Sequence, residues 1–114
     1  MFTLKAESTF EWPVVAKAPK NGGTYEKVTF NATFRVLSQE VINNLSDSGS
    51  LSTGSVRVLR EALVSFTGLD VAEEDGEQVT DFDRRIEIIL DHPYMVKALS
   101  DAFASGMAGK AIKN

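Results

Sequence analysis

The most regular pattern in the sequence is an alternation of apolar and polar side chains between residues 25 and 36. The apolar positions are Val28, Phe30, Ala32, Phe34 and Val36, and polar side chains stand between them. Successive side chains of an extended strand point to opposite faces, so this pattern predicts a strand with one buried face. A half-buried strand is typical of an antiparallel sheet, and the chain must therefore supply a neighbouring strand.

The segment before this strand can supply that neighbour. Phe10 to Val15 is rich in apolar residues, and residues 21–23 (Asn-Gly-Gly) separate it from the alternating strand. Asn and Gly tolerate the positive φ angles that a tight turn requires. We therefore predict an antiparallel hairpin, with Pro13 placing the first strand at an edge or a bulge. Phe2 and Leu4 are expected to add a short strand beside it.

Beyond residue 37 the apolar spacing changes to three and four, which predicts amphipathic helices. The expected apolar stripes are Val41, Ile42 and Leu45 in a first helix; Val56, Leu59, Leu63 and Phe66 in a second; Phe82, Ile86, Ile89 and Leu90 in a third; and Met95 or Val96, Leu99, Phe103 and Met107 in a fourth. Ser38 and Asp81 are the predicted N-caps, Gly68 is predicted to end the second helix, and Pro93 to begin the last. Residues 46–50 are predicted to be a turn or a flexible loop.

These elements together predict an α+β fold. With 114 residues and 43% hydrophobic content, the chain is expected to form one domain over residues 1–114. Residues 1–37 would form the β-rich part, an antiparallel hairpin or small sheet. Residues 38–109 would form about four helices, and residues 110–114 a basic tail.

Charge and composition narrow the class of partner. Residues 1–60 carry a net charge of +2 and residues 61–114 a net charge of −6. An acidic half repels phosphate backbones, so nucleic acid is not an expected partner. The N-terminus lacks the pattern of a signal peptide, and no apolar run reaches the roughly 18 residues that a membrane span needs. The absence of cysteine suits a reducing compartment, and we expect a cytoplasmic protein with no membrane partner.

Candidate chemistry concentrates in the acidic segment of residues 69–80 and at His92. When the glycine of the calcium-binding EF-hand loop is aligned with Gly76, the two anchor positions fall on Val71 and Phe82, which cannot ligate calcium. A solvated acidic turn at Asp75-Gly76 is the simpler interpretation. The single histidine has no identifiable nucleophile beside it. We therefore expect no catalytic residue, no cofactor and no metal, and we do not expect an enzyme.

The apolar stripe of the last helix has two possible uses. It can pack on the sheet, as such stripes usually do, or its end can contact a partner protein through adaptable phenylalanine and methionine side chains. Across the whole chain, the candidate partner-contacting residues are Phe66, Leu69, Tyr94, Phe103 and Met107.

Several short segments, taken in order, resemble a known family. They are Phe34-Arg35-Val36-Leu37, Phe66-Thr67-Gly68-Leu69, Glu73-Glu74-Asp75-Gly76, Val79-Thr80-Asp81-Phe82, His92-Pro93-Tyr94-Met95 and the ending Gly109-Lys110-Ala111-Ile112-Lys113-Asn114. This succession, over residues 28–114, is similar to the small tail assembly chaperones of long-tailed phages and prophages. Many members carry Trp before the Gly that follows the middle helix, where this chain has Phe66 and Thr67.

The resemblance implies a protein that binds the tape measure protein, keeps its long apolar helices dispersed and helps recruit tail-tube subunits. It also implies self-association into homo-oligomers and a location in the host cytoplasm during phage assembly. Some members are also made in a longer, frameshifted form. The alternative is a structural tail component, a tube or terminator subunit of a prophage, although a tube subunit is expected to contain more β structure.

Overall fold

The computed structural model describes residues 2, 8–46 and 51–109, and it confirms the α+β fold class. Within those residues, a three-stranded antiparallel sheet with the order β1-β2-β3 is combined with four helices. The elements are β1 (Thr9–Lys20), β2 (Thr24–Arg35), α1 (Gln39–Ser46), α2 (Leu51–Ala62), β3 (Leu63–Thr67), α3 (Phe82–Leu90) and α4 (Pro93–Met107).

The N-terminal hairpin has the predicted strands and turn. β1 and β2 pair in continuous register, with Val14 opposite Phe30, and the chain reverses at residues 21–23. Gly22 and Gly23 have φ angles of 84° and 78°, which side-chain-bearing residues rarely adopt. Pro13 lies on β1, an edge strand, where its missing N–H need not break a ladder.

The alternation in β2 predicts its buried face, except at the end. Phe30, Ala32 and Phe34 are buried, whereas Val36 lies beyond the strand and is 38% exposed. The prediction for Val36 is therefore wrong. The backbone N–H of Val36 donates to the Ser8 carbonyl at 2.8 Å, and the next residue, Leu37, takes the buried position.

The second helix is shorter than predicted. α2 ends at Ala62, and the segment that follows, Leu63–Thr67, is β3. Pairing with β2 is interrupted by a bulge that places Leu63 opposite Phe34 and Ser65 opposite Thr33. Because of the extra residue, both Leu63 and Phe66 point inward although they are three positions apart. The buried residues of this strand therefore have the spacing that is typical of a helix. Gly68 accordingly follows a strand, although its φ of 85° does require glycine.

The predicted helix starts are confirmed. The Ser38 hydroxyl accepts from the Val41 N–H at 3.2 Å, and the Asp81 carboxylate accepts from the Arg84 N–H at 3.1 Å. Pro93 begins α4. Of the predicted 46–50 loop, Ser46 belongs to α1, and the rest lies outside the described residues.

Two further expectations concern the N- and C-terminal ends. Phe2 lies outside any strand and is 84% exposed. Its expected partner Leu4 lies outside the described residues, as does the 110–114 tail.

The predicted apolar stripe of α3 is wrong at its first residue. Phe82 is exposed and is not part of the buried stripe, although its ring lies 6.2 Å from that of Phe66.

One hydrophobic core joins the sheet to the helices. At its centre the Phe34 ring lies 5.5 Å from the Phe10 ring and 5.4 Å from the Phe103 ring. Leu99 of α4 is fully buried, and α4 crosses the inner face of β1. The sequence-predicted stripe of α4 is therefore used for packing at Leu99 and Phe103.

Close approach of α4 to β1 depends on Gly106. A Cβ atom at this position would overlap the Phe10 ring, which is itself packed between Trp12, Phe34 and Phe103. Gly106→Val is therefore expected to destabilise the fold by about 1–3 kcal/mol, since overpacking moves side chains off their rotamers. The change is measured as a lower midpoint of urea unfolding. Ala104→Val, on the exposed side of α4, is the control and should shift the midpoint much less. Equal shifts of the urea midpoint for the two variants would show that the Phe10 ring can move aside at little energetic cost.

Candidate functional site

Three neighbouring clefts form a row across the molecule, and together we call them the groove. The middle cleft, of about 270 Å³, shares Ala72, Ile88 and His92 with a larger cleft of about 780 Å³. On its other side it shares Tyr94 with a cleft of about 400 Å³. We call the cleft of about 780 Å³ the acidic cleft and the cleft of about 400 Å³ the lysine cleft, after the charged residues in their walls.

The middle cleft is mostly apolar and is assembled from four parts of the chain. Val28 comes from β2, Leu69 and Val71 from the segment after β3, Ile88 from α3, and Tyr94 from the first turn of α4. Among the described residues, Asp70 is the only acidic or basic side chain, apart from His92, in this wall. Walls that are mostly apolar, with polar groups from Asp70, His92 and Tyr94, are suited to an apolar side chain of a partner.

Pro93 and His92 set the position of Tyr94. Proline favours the first helical turn, so α4 begins directly after His92, and Tyr94 projects from that turn. The His92 ring Nδ1 lies 2.7 Å from the Ile88 carbonyl oxygen, which links the start of α4 to the end of α3. The His92 and Tyr94 rings meet edge to face at 5.7 Å. The histidine, which directly precedes the first turn of α4, therefore contributes to the wall of the groove.

The acidic segment between β3 and α3 is folded back on itself. Val79 N–H donates to the Val71 carbonyl and Glu73 N–H to the Glu77 carbonyl, each at 2.8 Å. The predicted turn at Asp75-Gly76 is confirmed, with a φ of 90° at Gly76. This small antiparallel turn fixes Glu73 and Glu74 beside α3 and so builds one wall of the acidic cleft.

An ion-pair cluster fastens this turn to α3. Two guanidinium nitrogens of Arg84 donate to the two carboxylate oxygens of Glu73, at 2.6 and 2.9 Å, and a third donates to Glu87 at 3.3 Å. The hydrogen bonds and the positive charge of Arg84 hold the pKa of Glu73 below its ordinary value, although desolvation acts in the opposite direction. Hydrogen bonds and charge from Glu73 and Glu87 in turn raise the pKa of Arg84.

The lysine cleft lies between β1 and α4. Its walls include Lys17, Tyr25, Lys97 and Asp101, together with Tyr94 at the border with the middle cleft. Lys97 donates to Asp101 at 3.0 Å, one helical turn further on. Tyr25 is 65% exposed, so the cleft offers a second aromatic ring to an incoming partner.

The five candidate partner-contacting residues lie in three different environments. Leu69 and Tyr94 are partly buried and line the middle cleft. Phe66 and Phe103 are buried, the first beneath the Arg85 guanidinium at 4.3 Å and the second against Phe10 and Phe34. Met107 is partly buried at the end of α4 and packs against the core. A partner could reach the two buried phenylalanines only if the fold opened.

Sequence reasoning did not identify Val28, Val71, Ile88 or Tyr25 as part of a site. Ile88 offered a signal, since it is apolar yet lies off the buried stripe of Ile86, Ile89 and Leu90. The other three residues look like ordinary strand or loop positions. Their association depends on how four segments pack, which no local pattern encodes.

The described residues do not suggest metal chemistry or a membrane span. Within them, no group of three or more His, Cys, Asp or Glu side chains is placed to hold a metal ion. None of the helices in the described ranges combines the length and the apolar character needed to cross a bilayer.

No protein-family model, curated protein or solved structure matches this chain.

Proposed function

We propose that this chain is a protein-binding domain whose groove receives an amphipathic helix of a partner, and that it acts as a phage tail assembly chaperone. The single observation that carries helix binding is the apolar middle cleft, in which Leu69 and Tyr94 meet Val28, Val71 and Ile88. The assignment to phage tail assembly rests on the resemblance of the short segments over residues 28–114. Helices commonly bind other proteins by placing an apolar stripe in such a groove. In this role the partner is the tape measure protein, and tail-tube subunits are a second partner.

The size and chemistry of the groove favour binding of protein over turnover of a substrate. Its three clefts extend from Arg60 on α2 to Lys17 on β1 and are lined by side chains from both the sheet and the helices. An amphipathic helix presents anchors at every third or fourth position, and a row of clefts can accept several of them. Tyr94, shared by two of the clefts, is placed to separate successive anchors.

The surface charge is consistent with a chaperone role. The chain has a net charge of −4, and eleven of its sixteen acidic residues follow position 60. Like-charged complexes repel one another, so a bound apolar helix would be kept away from other copies of itself. We place this activity in the host cytoplasm during phage assembly and propose that the chain forms homo-oligomers as it acts.

Co-expression tests this function. A helical fragment of the tape measure protein from the same phage, expressed alone, is expected to aggregate, whereas co-expression with this chain should keep it in the supernatant and in a complex after size-exclusion chromatography. The fragment is compared with and without the chain at equal expression. Aggregation in both cases would contradict the proposal. Retention of the chain in purified virions would instead favour a structural tail component.

A further inference from the structure

The two ends of the groove carry opposite charge. In the acidic cleft, four carboxylates (Glu73, Glu74, Glu87 and Asp91) accompany two guanidiniums (Arg60 and Arg84), and these six side chains sum to a net charge of −2. In the lysine cleft, Lys17 and Lys97 face one carboxylate, that of Asp101, which leaves +1. The apolar middle cleft separates these two ends.

Two of the four carboxylates in the acidic cleft are not used by the ion pairs of Arg84. Arg84 is held by Glu73 and Glu87, so its charge is already directed at two of the four carboxylates. Glu74 and Asp91 are exposed, and neither forms a hydrogen bond or ion pair through its side chain within the described part of the chain. These two carboxylates are free to receive cationic side chains of a ligand.

The charge available at the positive end comes from Lys17. Lys97 already donates to Asp101 at 3.0 Å, whereas Lys17 is exposed and forms no ion pair within the described part of the chain. An anionic ligand group beside Lys17 would be attracted, whereas a cationic group would be repelled.

We infer that the groove binds an amphipathic helix in one direction, with lysine or arginine residues over Glu74 and Asp91 and acidic residues beside Lys17. The inference rests on the proposed helix-binding function and adds the chemistry and orientation of the bound segment. Reversing the helix would place like charges together at both ends, which selects one direction through repulsion as well as attraction. The preference for one direction of binding must weaken as salt is added, because the charges that select it are exposed.

A designed peptide tests the direction of binding. The peptide is an amphipathic helix of about 20 residues, long enough to be helical in water, with lysines at one end and glutamates at the other. A spin label at the lysine end should broaden the NMR signals of Glu74 and Asp91 and leave those of Lys17 and Tyr25 sharp. Broadening at both ends, or at Lys17 and Tyr25 alone, would overturn the inferred direction.

A pair of double variants supplies the matched affinity measurement. Glu74→Lys/Asp91→Lys should weaken peptide binding at least tenfold in low salt, and by less as salt is raised. Glu11→Lys/Glu40→Lys makes the same change in net charge at exposed positions outside the three clefts and should change affinity less than twofold. Equal losses in the two variants would show that only overall charge matters. In that case the inferred direction is wrong, but the groove can still be the helix-binding site. If the wild-type chain binds no peptide at all, the proposed helix-binding function is contradicted as well.

Discussion

Replacing Phe34 with alanine is expected to lower the free energy of unfolding by about 3–5 kcal/mol, the usual range for removing a buried aromatic ring. The side chain is fully buried on the central strand β2, and its ring contacts Phe10 of β1 and Phe103 of α4. Its loss removes two of the aromatic contacts at the centre of the core, between the hairpin and the last helix, and leaves a cavity there. Since a domain of this size has a total stability of about 5–15 kcal/mol, this variant should unfold at a much lower urea concentration.

Tyr25→Ala is the matched control for Phe34→Ala. It removes an aromatic ring from the same strand, but at a position that is 65% exposed. We expect a change of about 1 kcal/mol or less, because little buried surface is lost. Similar urea midpoints for the two variants would contradict the described burial of Phe34 and the placement of α4 on the sheet.

Much of the fold was predictable because local patterns agree with it. Alternation in β2 and the Asn-Gly-Gly turn are sufficient for the hairpin, and side-chain caps at Ser38 and Asp81 mark two helix starts. These are short-range effects, which a single sequence records directly. The segment Leu63–Thr67 was not predictable from spacing, since its β-bulge turns residues three apart to the same face.

The candidate site was only partly predictable. Leu69 and Tyr94 were identified in the sequence, and the structure brings them together in one cleft. Phe66 and Phe103 looked equally suitable as partner contacts, yet both are buried within the fold. Sequence periodicity separates apolar from polar faces, but it does not separate a face that packs internally from one that borders an open cleft.

Truncating Tyr94 to alanine is expected to weaken binding of the tape measure fragment by about 30-fold, equivalent to roughly 2 kcal/mol. Tyrosine is a frequent energetic hot spot in interfaces, and this one borders two of the three clefts. Leu69→Asp should have at least as large an effect, because it places a charge among apolar walls. Dissociation constants are measured by dilution of the co-purified complexes, with thermal unfolding used to show that each variant is folded.

Val41→Ala is the matched control for the groove variants. Val41 is an exposed apolar residue on α1, and it lines none of the three clefts. Its removal should change the affinity less than twofold. If it weakened binding as much as Tyr94→Ala, the partner would contact the face of α1, and the groove would not be the principal docking surface.

Amide hydrogen exchange with and without the tape measure fragment tests the central claim most directly. The claim predicts slower exchange in the two segments that build the middle cleft, residues 69–73 and 88–96, and little change on α1. Protection confined to α1 or to the exposed face of the sheet, with those two segments unchanged, would contradict it.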